Sequence, residues 1–208
     1  MSGRLSAAEA LQRLKRGNER FVSGADDAKL YGPPDERGPV RQQEPIAIIL
    51  GCSDARVPAE MVFDQGVGDL FVIRVAGNIV APSQVGSIEF AASQFGTRLV
   101  VVLGHTLCGA VIATINELCR DETARTPGLR AIVDRVRPSV ESLVSRSSEQ
   151  DPDALLSEAV RANIMASVRQ LREGSELIRE LMDQEGLQIV GAEYSLQTGV
   201  VELLEGEG

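Results

Sequence analysis

The sequence predicts an α/β fold: a mostly parallel central sheet with an antiparallel edge, helices on both faces and an N-terminal helical arm. Three observations predict it. Short, almost wholly apolar runs recur at 46–51, 70–75, 99–103 and 187–194, as strands buried on both faces require. Segments with apolar residues at helical spacing separate them, the alternation that builds parallel sheets. The chain then closes with a turn at Gln197-Thr-Gly199 and the run Val200–Leu204, a hairpin that brings an antiparallel edge.

From the amino end, Ser6-Ala-Ala-Glu9 has the form of a capping box, and Ala7, Leu11, Leu14 and Phe21 make an apolar stripe that Gly17 weakens. A helix this short is not stable alone, so it must pack on its own domain or on a neighbour. Residues 23–45 are polar and turn-rich (Gly32-Pro-Pro34, Gly38, Pro45) and read as a surface linker. This divides the chain into an arm and linker (1–45) and an α/β domain (46–208). After the first strand, Pro58 opens a short helix toward Phe63, and Gly66-Val-Gly68 turns into the second strand, Leu70–Val75. A loop at Ala76-Gly77-Asn78 precedes a helix ending near Phe95, with Ile88, Ala91 and Ala92 on its apolar side. The third strand, 99–103, leads to a helix from Cys108 to Leu118. Helical spacing resumes over 129–145, where Pro138 is expected to end or kink the helix. A long helical region from Asp151 to Leu181 is divided by Gly174. Residues 205–208 read as frayed.

Composition bounds the function. The chain has 208 residues, 43% hydrophobic, with no tryptophan, and carries a net charge of −9. Such acidity argues against a nucleic-acid backbone or an anionic membrane as partner. Only two of the 21 basic residues are lysines, Lys15 and Lys29. Three cysteines do not make a disulfide framework and fit a reducing compartment, where neighbouring Cys and His more often hold metal. With neither an apolar leader nor a bilayer-length run, cytoplasmic residence, free or within a microcompartment, is the expectation.

Two strands end in metal-ligand residue types. Ile46-Ala-Ile-Ile-Leu-Gly runs into Cys52-Ser-Asp54-Ala-Arg56, and Leu99-Val-Val-Val-Leu-Gly104 into His105-Thr-Leu-Cys108-Gly109. Ligands of open α/β sheets gather beyond the carboxyl ends of strands. Cys52, His105 and Cys108 supply two sulfurs and a nitrogen, three ligands of a tetrahedral zinc with one position left. Cys108 also opens a helix, whose N–H groups favour its thiolate. Asp54 has two readings: fourth zinc ligand, or a carboxylate held ionised by Arg56 that orients an attacking oxygen. Taken singly, each residue also has a plainer reading. Cys52 and Cys108 fit buried inert thiols, His105 a satisfied loop histidine, and Asp54–Arg56 a structural ion pair. Cys119 reads as a helix-face cysteine without a role.

Together these motifs resemble the β-class carbonic anhydrases, and the likeness extends over most of the chain. Gly17-Asn18-Glu-Arg20-Phe21, Phe71-Val-Ile-Arg74-Val-Ala-Gly77-Asn78, Gly86-Ser-Ile-Glu89-Phe90 and Gly191-Ala-Glu-Tyr194-Ser-Leu-Gln-Thr198-Gly199 are similar to further family blocks. The resemblance implies a lyase interconverting carbon dioxide and bicarbonate with one zinc per chain on Cys52, His105 and Cys108. Asp54 and Arg56 would form the orienting pair, with Asp54 on zinc only in a closed form. Gln43 would hydrogen-bond substrate; Phe71, Ala76, Phe90 and Gly109 would complete the pocket. Phe90 stands where this branch often has tyrosine, and Val75 where asparagine is common. The branch with a second bicarbonate pocket carries a tryptophan that this chain lacks, which favours the open form. The family forms homodimers through the arm, sometimes paired into tetramers. Two other readings compete: a carbonyl sulfide or carbon disulfide hydrolase of the same family, and a non-catalytic structural zinc protein.

Overall fold

The computed structural model of the protein describes residues 5–25, 43–120, 126–146 and 151–204. Its elements are α1 (Ala7–Ser23), β1 (Ala47–Gly51), α2 (Ala59–Val62), β2 (Leu70–Arg74), a 3₁₀ turn (Ala76–Asn78), α3 (Pro82–Gln94), β3 (Leu99–His105), α4 (Gly109–Arg120), α5 (Pro127–Arg146), α6 (Pro152–Gly174), α7 (Glu176–Glu185), β4 (Gln188–Tyr194) and β5 (Val201–Leu204). The strands form one sheet in the order β2-β1-β3-β4-β5. The first four are parallel, and β5 pairs antiparallel with β4, giving the predicted mixed sheet.

Every residue of β1 and β3 is buried, which is why both read as continuous apolar runs rather than alternating ones. Side chains nonetheless alternate between two cores. Ile48, Leu50, Val100, Val102 and Ile189 meet α3, α4, α5, α6 and α7 on one face. Ala47, Ile49, Leu99, Val101, Leu103 and Ala192 meet α1 and α2 on the other. At about 25 cal/mol per Å² of apolar surface removed from water, such two-sided burial is the main favourable contribution to folding.

The arm packs on its own chain. The Ser6–Glu9 capping box is formed and Gly24, at φ 69°, ends the helix. Ala7, Ala10 and Leu14 are buried against the sheet. Asn18 donates from Nδ2 to the carbonyls of Val62 (3.0 Å) and Gly199 (2.8 Å), and its Oδ1 accepts the Val201 N–H at 2.8 Å. Gly17 has a role its helix propensity hides: a Cβ there would lie 1.7 Å from the Phe63 carbonyl oxygen. Only glycine lets α1 approach this closely.

Two expectations are corrected. Pro138 does not end its helix; α5 runs through it from Pro127 to Arg146. Val133, Val136, Val140 and Leu143 on both sides of it are buried, and packing of that stripe outweighs one lost backbone hydrogen bond. Strand β3 also extends two residues beyond its apolar run, because Gly104 and His105 continue the ladder against Glu193 and Tyr194. Gly174 divides its helical region as expected, with the extended backbone of Ser175 making the break and its hydroxyl accepting the Ile178 N–H to cap α7. Most of the linker and residues 205–208 lie outside the described residues.

Candidate metal centre

The register of the sheet brings the two motifs together. Gly51 of β1 pairs with Leu103 of β3, so Cys52 emerges at the level of Gly104, next to the strand-final His105. Leu107 then takes the left-handed conformation at φ 58°, unusual for a branched residue, and reverses the chain so that Cys108 opens α4. Cys52 Sγ, a ring nitrogen of His105 and Cys108 Sγ all lie within 4.8 Å of one another, and all three residues are buried.

The donor atoms are prepared for a cation. His105 is fully buried, with Nδ1 2.9 Å from the Thr106 carbonyl oxygen. That contact assigns the proton to Nδ1 and leaves Nε2 as a lone pair. Nε2 is buried with no hydrogen-bond partner among the described residues; a buried acceptor left so costs about 1–3 kcal/mol, a cost that coordination removes. The Cys52 thiol is pulled well below the usual thiol range, chiefly by the neighbouring Cys108, with burial opposing. The same contact, followed by burial, holds the Cys108 thiol well above the thiol range, while N–H groups of Val111 and Ala110 at the start of α4 oppose this. Burial pushes the His105 imidazole down, and the adjacent Cys52 sulfur and the Thr106 carbonyl outweigh it, so that its net shift is upward. Two soft sulfurs and one imidazole suit zinc.

Beside the cluster, Arg56 grips Asp54 with two parallel bonds, Nε to Oδ1 at 2.9 Å and Nη2 to Oδ2 at 2.7 Å, and its backbone N–H reaches Oδ1 at 3.0 Å. These hydrogen bonds hold the Asp54 carboxyl well below the usual carboxylate range despite partial burial. Oδ2 lies 3.8 Å from His105 Nε2. Asp54 therefore faces the cluster while remaining engaged with Arg56.

Arg74, which in the sequence is a charge within an apolar strand, reaches across from β2. It donates from Nε to the Cys52 carbonyl at 3.1 Å and from Nη2 to the Asp54 carbonyl at 2.5 Å. It fixes the backbone that aims both side chains. Ala76 and Gly109 border the cluster: the next N–H, that of Gly77, donates to Cys52 Sγ at 3.4 Å, and Gly109 begins α4. Gln43, Phe71 and Phe90 lie elsewhere in the same chain. Phe71 pairs with Ile48, four residues before Cys52, about 13 Å down the strand. Its ring lies 6.3 Å from that of Phe90, which is 52% exposed. Gln43 is exposed near Gly68, at the amino end of β1. Cys119 is exposed on α4 and takes no part.

A family model of carbonic anhydrases matches residues 47–201. The chain belongs to the β-carbonic anhydrase family. It is 39% identical over 190 residues to carbonic anhydrase 2 of Mycobacterium tuberculosis, covering 91% of this chain and 89% of that protein. It is 39% identical over 195 residues to a carbonic anhydrase of Mycolicibacterium smegmatis, with 93% and 91% covered. Among solved structures, a β-carbonic anhydrase of Aspergillus fumigatus superposes with a TM-score of 0.72 at 26% identity, over 80% of this chain and 78% of that one. Family and triad together make this a zinc-dependent carbonic anhydrase, a lyase acting on carbon dioxide and bicarbonate with one zinc site per chain. Among the described residues no helix is long and apolar enough to cross a membrane.

Proposed function

We propose that Asp54, gripped by Arg56, is the orienting residue of carbon dioxide hydration at this centre, and that Cys52, His105 and Cys108 are the zinc ligands. The observation that carries this is the bidentate Asp54–Arg56 pair beside the lone pair of His105. Zinc, when bound, supplies a Lewis acid that lets water ionise near neutral pH. An ionised Asp54 is only an acceptor. It takes one hydrogen bond from the attacking oxygen and so turns a lone pair of that oxygen toward the carbon of carbon dioxide. A purely structural zinc site has no need of this pair.

Gln43, Phe71, Phe90, Ala76 and Gly109 are assigned to substrate. The first three lie too far along the sheet to serve their own chain's zinc, so they line the pocket of a second copy in a homodimer, or in a pair of dimers. The free thiols support cytoplasmic residence. If sedimentation of active protein gave only monomer, Gln43, Phe71 and Phe90 would lose their substrate role.

The deciding measurement is stopped-flow hydration of carbon dioxide across pH on protein of known zinc content. Activity is expected to rise between about pH 7 and 9, the window set by zinc-associated water. His105 is the only histidine and is committed to metal, leaving no imidazole to carry protons away. Turnover at saturating substrate should therefore increase with buffer concentration. An inactive zinc-replete protein would overturn the assignment, and buffer-independent turnover would overturn the proton route.

A further inference from the structure

The described residues place an inward-facing polar pair, Asn163 and Ser167, in the apolar stripe of α6 formed by Ala159, Val160, Ile164, Val168 and Leu171. Four residues apart, the two share one helix face, and each is only 2% exposed. Burying an amide and a hydroxyl is costly unless each finds a partner. Both partners lie in the turn after β2. Asn163 Nδ2 donates to the Gly77 carbonyl at 2.8 Å, and Ser167 Oγ donates to the Asn78 carbonyl at 3.0 Å.

That turn is not relaxed backbone. Gly77 and Asn78 both adopt positive φ, 72° and 44°, and a left-handed asparagine persists only where its surroundings hold it. From the other side a Cβ on Gly77 would stand 3.0 Å from the Cβ of Ala110, two residues beyond Cys108. The turn is therefore clamped between α4 and α6. Its conformation decides where the Gly77 N–H points, and it points at Cys52 Sγ, 3.4 Å away.

We propose that Asn163 and Ser167 are positioning residues for the metal centre. By fixing the carbonyls of the next two peptide units, Gly77 and Asn78, they hold the turn that presents the Gly77 N–H to the Cys52 sulfur. This orients a ligand thiolate, as outer-shell partners of metal ligands do, and as a donor it draws electron density from the sulfur. The inference rests on Cys52, His105 and Cys108 holding zinc.

The test measures metal affinity apart from stability, on the full chain. Zinc dissociation constants are measured by competition with a chromophoric chelator for wild type, Asn163→Leu, Ser167→Ala and, as a comparator, Leu171→Ala. Leu171 is a buried core residue of the same helix whose apolar side chain cannot hydrogen-bond the turn. Asn163→Leu should weaken zinc binding about 10–100-fold, the usual effect of losing such a partner, and the milder Ser167→Ala should weaken it less. In cobalt-substituted protein both should move the thiolate-to-metal charge-transfer band to longer wavelength, because a sulfur without its N–H partner gives up charge more easily. Leu171→Ala should lower the melting temperature with zinc affinity within about twofold of wild type, as expected of a distant site. Unchanged affinity and an unmoved band in both polar variants would overturn the positioning role. So would an equal loss of affinity in Leu171→Ala, since stability alone would then explain it. A wild-type chain that failed to bind one zinc would instead overturn the ligand assignment.

Discussion

Replacing Cys108 by serine will empty the zinc site while leaving the fold in place. Cys108 is 1% exposed and ends the loop that opens α4, its carbonyl accepting the Ile112 N–H at 3.0 Å. Serine is nearly the same size and is among the preferred residues at a helix start, so α4 keeps its first turn. What goes is the soft ligand. A serine hydroxyl stays protonated near neutral pH, and zinc cannot replace its proton as it replaces that of a thiol. Zinc content should fall from one per chain to below about a tenth, and kcat/KM at least about a thousandfold, because water without the metal has a pKa near 15.7 rather than about 7. Metal analysis and stopped-flow hydration on the same sample check this, with circular dichroism to follow the helices. Full zinc content with activity within tenfold of wild type would remove Cys108 from the ligand set. Chelating the wild-type protein should reproduce the loss of activity. It should also lower the melting temperature, since an ion bound only to the folded state stabilises it by mass action.

The features visible in the sequence and those hidden from it divide along a physical line. Strands β1 and β3 are legible because burial on two faces forces uninterrupted apolar runs, and the ligands are legible because they follow those runs directly. The capping box at Ser6 and the break at Gly174 are equally local. Gly17 is not, since its value lies in the Phe63 carbonyl it lets approach, a contact made across a fold. Pro138 does not end α5, because a local rule about backbone hydrogen bonds is outweighed by a buried stripe. Arg74 and Asn163 act on the site from 22 residues and 86 residues away in sequence, on Cys52 and Gly77 respectively, and no spacing announces either. Gln43, Phe71 and Phe90 were recognisable by family likeness, yet likeness does not tell which copy of the chain they serve. Their distance from their own Cys52 gives that question its physical form.

Asp54→Asn should lower kcat/KM by about 10²–10³-fold, the usual loss when one preorganised polar group in an active site is removed or misplaced. The substitution keeps the size of the side chain but takes away its charge and gives one terminus two N–H donors. Arg56 has only donors to offer, so its fork no longer matches both ends of the side chain. The amide turns its oxygen to Arg56 and directs N–H groups toward His105 and the cluster, where an acceptor is needed. An attacking oxygen then meets a donor, which draws on the lone pair it needs for carbon. The pH profile separates this from a titration effect. Arg56 depresses the Asp54 carboxyl far below the carboxylate range, so the group is fully ionised at every pH from 6 to 9 and cannot produce the rise in rate there. Asp54→Asn should therefore lower the whole profile while leaving its midpoint within about half a unit, the scale of a modest change in local charge. Zinc content should stay near one per chain, because the amide leaves the three ligands untouched. A shifted midpoint at full amplitude would identify Asp54 as the titrating group and refute the orienting role. Loss of zinc would identify it as a ligand, the closed arrangement that its bidentate hold on Arg56 opposes.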